Sequence, residues 1–235
     1  MKKAMWILSF IPLIGTAIVL QFMPDQVPMH YDFEGNIDRW GSKYEELIFP
    51  VIILAMSLFW TLFIRYYEKK AIRETDEKES AGASSNAKVL GIVGVCMAAM
   101  FAVEHGFSLY GAYNEATSGA SAWSVDIGKV SVVLMGIIFI VIGNFMTKTR
   151  INSTVGVRVS WSMYNDNTWR KSNRFGAYAI MIAGVVTIIM AVILKNSFGA
   201  AMAAVGTVIL ATVVTLVYAH KVYVQEIESE KGGKD

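Results

Sequence analysis

Six runs of about 20 mostly apolar residues, near 4–23, 47–67, 88–110, 128–146, 175–194 and 199–219, limit what this chain can become. A helix rises about 1.5 Å per residue and the hydrocarbon core of a bilayer is roughly 30 Å thick, so each run is long enough to cross once. Backbone groups in lipid must be satisfied within the segment, which selects helix for every crossing. The expected fold is an all-α polytopic membrane protein with six transmembrane helices. Composition agrees: of 235 residues 54% are hydrophobic and 17% charged, with mean hydropathy +0.46, and the apolar residues lie in blocks instead of alternating. The net charge of +2 carries no long basic tract and gives no footprint for nucleic acid. The single cysteine, Cys96, excludes an intrachain disulfide. The first run follows Lys2 and Lys3 but exceeds a secretory signal in length, and no small-x-small site precedes Pro24, so a retained anchor is expected.

Orientation follows from the basic residues. With the N-terminus inside, Lys2, Lys3, Arg65, Lys69, Lys70, Arg73, Lys78, Lys88, Lys148, Arg150, Arg158, Arg170, Lys171, Arg174, Lys221, Lys231 and Lys234 fall at the inner side. Of the 21 Lys and Arg, only Arg39, Lys43, Lys129 and Lys195 fall outside, which predicts an N-in, C-in topology. Trp6, Trp60, Trp161 and Trp169 then mark inner boundaries, and Trp40 and Trp123 outer ones.

The connections divide the chain. Residues 1–67 form a first helical hairpin carrying an extracytoplasmic loop, 24–46. Residues 68–87 read as a flexible cytoplasmic linker, because "ETDEKESAGASSNA" is charged and then small and polar. Residues 88–220 are a four-helix region with a cytoplasmic loop, 147–174, and 221–235 are a cytoplasmic tail. "KNSF" (195–198) is short enough to force the last two helices into a tight antiparallel hairpin.

Small residues recur every fourth position at Gly199, Ala203, Thr207, Ala211 and Thr215, and again at Gly94, Ala98 and Ala102. Such stripes let helix backbones approach closely within one chain; a homo-oligomer interface is the sharper alternative. Glu104 and His105 are an intramembrane ionisable pair. They read either as part of a polar tether to Lys129, which starts the next helix at the same depth, or as the centre of a small ion or solute transporter.

The outer loop, "PDQVPMHYDFEGNIDRWGSK" (24–43), predicts a short hairpin. Pro24 and Pro28 stiffen it, "EGN" (34–36) supplies a turn, and Met29, Tyr31 and Phe33 alternate with His30 and Asp32. His30, Asp32, Glu34 and Asp38 are metal-ligand types, which admits a metal-dependent membrane enzyme as a third reading. Yet one histidine without a second at ligand spacing and without a thiolate is a poor donor set, so no metal or other cofactor is expected. No nucleophile elbow, His-Glu-x-x-His helix or phosphate loop is present, so no catalytic residue is assigned.

In the inner loop Arg158, Arg170, Lys171 and Arg174 with Trp161, Tyr164 and Trp169 predict a basic aromatic surface suited to anionic lipid headgroups or an acidic protein. Asn165 or Asp166 is placed to cap a short interfacial helix running into the fifth span. Asn152, Gly156 and Arg158 favour a specific partner, since plain anchoring requires neither glycine nor asparagine there.

"LQFMPDQVPMHYDFEGNIDRWGSK" resembles the Pro-x-x-Val-Pro-x-His-x-x-x-x-Gly-x-x-Asp-x-Trp-x-Ser-Lys signature of a bacterial membrane domain of unassigned activity. "NSTVGVRVSWSMYNDNTWRKSNRFG" resembles the Asn-x-x-x-Gly-x-Arg…Trp-x-x-x-x-Arg-x-Gly region of the SdpI-like immunity proteins, where that domain occurs first. Val159-Ser160 and Asn173 depart from the Thr-Pro and His common in the family. The resemblance implies a non-enzymatic multi-pass protein of the bacterial cytoplasmic membrane. It would protect its cell from a secreted peptide toxin, met at His30, Asp32, Asn36, Asp38 and Trp40. As in some members, the resemblance also implies capture of a cytoplasmic DNA-binding repressor at the membrane; Asn152, Gly156, Arg158, Trp161, Trp169, Arg170 and Arg174 are the candidates here for binding such a regulator or lipid headgroups.

Overall fold

The structure is a computed structural model that describes residues 1–31, 37–118, 126–147, 151 and 155–232. Six helices dominate it: α1 (Lys2–Val19), α2 (Ile48–Arg73), α3 (Glu77–Ser118), α4 (Ile127–Met146), α5 (Asp166–Ile193) and α6 (Ser197–Gly232). All six are long and apolar enough to cross a membrane. Between α1 and α2 lie two antiparallel strands, β1 (Gln26–Tyr31) and β2 (Ile37–Ser42), and a 3-10 turn at Lys43–Leu47. The chain divides into two compact units, Met1–Leu62 with Gly91–Ile127, and Phe63–Leu90 with Gly128–Asp235.

In the first unit, α1 buries Met5, Ser9, Pro12 and Thr16, one helical stripe, and leaves Ile7, Phe10, Ile11, Ile14 and Ile18 outward as a lipid-facing surface. Ser9 and Thr16 bring hydroxyls into the stripe, because interhelical contact inside a membrane is gained by close approach and hydrogen bonding, not by hiding apolar area from water. Ser9 donates to Met5 O (2.8 Å) and lies 2.5 Å from Ser57 Oγ on α2; Trp6 Nε1 donates to Thr61 Oγ1 at 3.1 Å. Gly94 on α3 makes room for Met5 and Trp60: a β-carbon added there would stand 2.8 Å from the Met5 sulfur.

The second unit is built on the α5–α6 hairpin, turned by Leu194–Asn196, where the Asn196 side chain accepts from Gly199 N at 2.7 Å. Two of the regularly spaced small residues of α6, Thr207 and Thr215, face α5. Thr207 lies 3.3 Å from Thr187, and Thr215 fills the space that Gly176 leaves open. On the other side of α5, Gly136 and Gly143 of α4 meet Gly184 and Ala177; a β-carbon on Gly184 would stand 2.5 Å from Gly136 O. This is backbone-to-backbone packing that only small residues permit.

The helices outrun the apolar segments, and two expectations change. Residues 77–87, expected to be flexible, are the first three turns of α3. Asp76 starts them by accepting from Glu79 N (2.9 Å), Glu77 and Glu79 complement the helix N-terminus, and Ala83, Asn86 and Ala87 are buried. The alanines, serines and glycine that resemble a linker are a packing face; Gly82 stands against Ile151 O. The expected short interfacial helix is instead the start of α5 itself, capped by Asn165 and continuous into the apolar run. The tail likewise stays helical to Gly232.

Candidate functional site

The outer motif separates into residues that build the hairpin and residues that it displays. Val27 and Pro28 are fully buried, and Val27 joins Leu20, Met23, Leu109 and Ala112 in a core beneath the strands. Both residues being buried breaks the simple alternation expected along this strand, and the pairing with β2 is irregular beyond them, with register shifts between Pro28 and His30 and between His30 and Tyr31. Ser42 and Glu45 form a reciprocal cap on the 3-10 turn, Arg39 donates to Glu45 at 3.0 Å, and Lys43 reaches back to Met23 O (3.1 Å) and Asp25 (3.3 Å). What the hairpin turns outward is the His30 Nδ1–Asp38 Oδ1 pair at 2.6 Å, with side chains 65% and 47% exposed, and the Trp40 ring, 49% exposed. Asp32, Asn36 and the 34–36 turn lie outside the described residues.

Below this core, His105 on α3 is buried at 2% exposure, with Nε2 2.7 Å from Thr16 Oγ1 and its ring stacked on Phe49 at 5.6 Å. With the Thr16 hydroxyl donating to Pro12 O (2.8 Å), its oxygen is placed to accept from the imidazole Nε2–H. The geometry makes His105 an α1–α3 cross-link. Glu104, its neighbour, is half-buried, and Lys129 belongs to the second unit.

The inner motif divides in the same way. Gly156 takes φ +126°, and a side chain there would collide with Asn173 Oδ1 and approach the Trp169 ring. Asn173 accepts from Val157 N (2.8 Å) and donates to Trp169 O (3.0 Å), so one side chain ties the loop to α5. Ser162 Oγ bonds Val157 O and Val159 O, closing the loop on itself. Trp169, expected on the surface, is 2% exposed: in the first turns of α5, Thr168, Trp169, Ser172 and Asn173 all point inward. Arg158, Arg170, Lys171 and Arg174 remain exposed, while Trp161 is half-buried edge-on to His220 at 4.7 Å. Asn152 lies outside the described residues.

Sequence reasoning missed the partner of this loop, the C-terminal end of α6. Asn165 and Asn167 both donate to Glu226, at 3.0 and 2.5 Å, and Tyr164 OH donates to Glu230 at 2.8 Å. The Glu230 carboxylate holds the Tyr164 phenol above its usual pKa by accepting that hydrogen bond. The i, i+4 spacing of Glu226 and Glu230 was the available signal.

Residues 148–219, from the inner loop through most of α6, match the SdpI/YfhL protein family, and residues 7–54 match a domain of unknown function (DUF1648). The immunity protein SdpI of Bacillus subtilis (strain 168) is 18% identical over 177 residues, covering 74% of each chain. The chain is similar to the SdpI-like membrane proteins in both of its motif loops. It is a multi-pass protein of the bacterial plasma membrane, and both matched segments include the motif loops just described. No solved structure matches it.

Proposed function

We propose that this SdpI-like protein protects its cell from a secreted membrane-active peptide, received at the outer hairpin, and that the inner loop recruits a cytoplasmic regulator. The observation that carries the reading is the division of labour within each motif. Val27, Pro28, Ser42 and Lys43 build the hairpin, whereas His30, Asp38 and Trp40 are displayed; Gly156, Trp169 and Asn173 build the inner loop, whereas Arg158, Arg170 and Arg174 are displayed. A half-exposed tryptophan beside a polar pair suits an amphipathic peptide, and a basic cluster suits an acidic protein surface. The similarity to an immunity protein supports the outer role.

The test is survival of a toxin-sensitive bacterium expressing the chain, challenged with a panel of secreted peptides. Protection against at least one, lost in Trp40→Ala at unchanged membrane abundance, is the expected result. Sensitivity to every peptide at full expression overturns the proposal.

A further inference from the structure

The last three turns of α6 carry a single face turned toward the inner loop. His220 meets Trp161, Tyr223 meets Tyr164 edge-on (5.2 Å), Glu226 receives two asparagine amides, and Glu230 receives the Tyr164 hydroxyl. Positions 220, 223, 226 and 230 follow the helical repeat, so these rungs engage or release together. The receiving side is built for carboxylates. It offers three donors with no charge of their own, Asn165 is the N-cap of α5 so that the positive end of that helix lies beside Glu226, and the Lys171 ammonium also attracts Glu226. The contacts between this face and the loop are polar and aromatic, in contrast with the small-residue packing of α5 on α6, and the Tyr164–Glu230 bond at the end of the helix lies toward solvent, whereas Ala219 and Val222 on the neighbouring positions are buried.

We propose that the α6 tail is a built-in occupant of a carboxylate-receiving face on the 155–174 loop. A protein partner presenting an acidic helix with carboxylates at i and i+4 binds there by displacing it. The displayed cations Arg170 and Arg174 add attraction for a partner more acidic than the tail, whose own carboxylates are offset by Lys221 and Lys231. The inference deepens the inner-face role proposed above and rests on it for the partner's chemistry.

The experiment uses the full chain in lipid nanodiscs and a labelled synthetic peptide of residues 218–232, with neither toxin nor regulator present, so its failure is separate from failure of the survival test. Glu226→Ala with Glu230→Ala is expected to raise amide exchange across 155–168 at least tenfold while leaving 177–191 unchanged. The peptide is expected to bind this variant at least tenfold more tightly than wild type and to restore protection; a peptide with both glutamates changed to glutamine is not. Unchanged loop exchange in the variant, equal peptide binding to variant and wild type, or binding to neither overturns the proposal.

Discussion

At Gly156 the chain takes a backbone conformation that costs an L side chain roughly 1–2 kcal/mol, in a space already filled by Asn173 and Trp169. The Asn173 amide uses both ends, accepting from Val157 N and donating to Trp169 O. Asn173→Ala should therefore strand a buried N–H and destabilise the protein by about 1–3 kcal/mol, measured as denaturant unfolding in detergent. Arg158→Ala, at an exposed position, should change stability by less than about 0.5 kcal/mol in the same assay and weaken regulator recruitment instead. A destabilised Arg158→Ala would show that this side chain builds the loop. The displayed arginines were legible in the sequence because a charge seldom goes inside without a partner. Trp169 was not: a tryptophan among arginines reads the same whether it faces lipid, a partner or the core, and only the turn of α5 that brings Gly156 over it decides.

Among the elements, the six spans were legible because lipid imposes a length and an apolarity on each. Helix ends beyond the bilayer were not, since a helix in water or at an interface needs neither property. α3 runs for 42 residues and α6 for 36, about 63 and 54 Å against a core of roughly 30 Å. The hidden turns are the ones that carry Asp76 at one end and the Glu226–Glu230 face at the other. The α4–α5 crossing makes a separate prediction. Gly184→Val would force branched carbons against Gly136 O and the Ile140 side chain, and should cost about 1–3 kcal/mol, with a fall in thermal midpoint in detergent. Gly206→Val, at an open site on α6, should leave the midpoint unchanged; equal loss from both variants would contradict the crossing described.

For the whole molecule, three spans separate the outer hairpin from the inner loop, an odd number, so the two motifs face opposite compartments if all six helices cross. The distribution of Lys and Arg predicts that the hairpin faces outside. On a Cys96→Ser background, single cysteines at Gln26 and Ser118 should react with an impermeant thiol reagent in intact cells, and those at Thr75 and Ser160 only after lysis; all four positions are exposed, so burial does not confuse the reading. The inverse pattern would reverse every assignment of side. A paired assay on matched mutants extends this: Trp40→Ala should impair survival first and Arg158→Ala regulator recruitment first, because the intervening roughly 30 Å of lipid lets no side chain contact both ligands. Proportional loss of both activities in each mutant would point to a single structural role for the two loops.

The hydroxyl seam of the first unit also bears on how the chain enters the membrane during synthesis. Ser9, Thr16 and Thr61 each donate to a carbonyl one turn back on their own helix, at 2.8, 2.8 and 2.7 Å. On α1 itself, Ser9 and Thr16 thus carry no bare hydroxyl proton, which lowers the cost of placing that helix in lipid. The Thr16 oxygen keeps lone pairs and lies 2.7 Å from His105 Nε2 on α3, while the Thr61 oxygen on α2 accepts the Trp6 N–H of α1. A hydroxyl that satisfies its own helix can therefore be buried in lipid and still join a polar contact between helices.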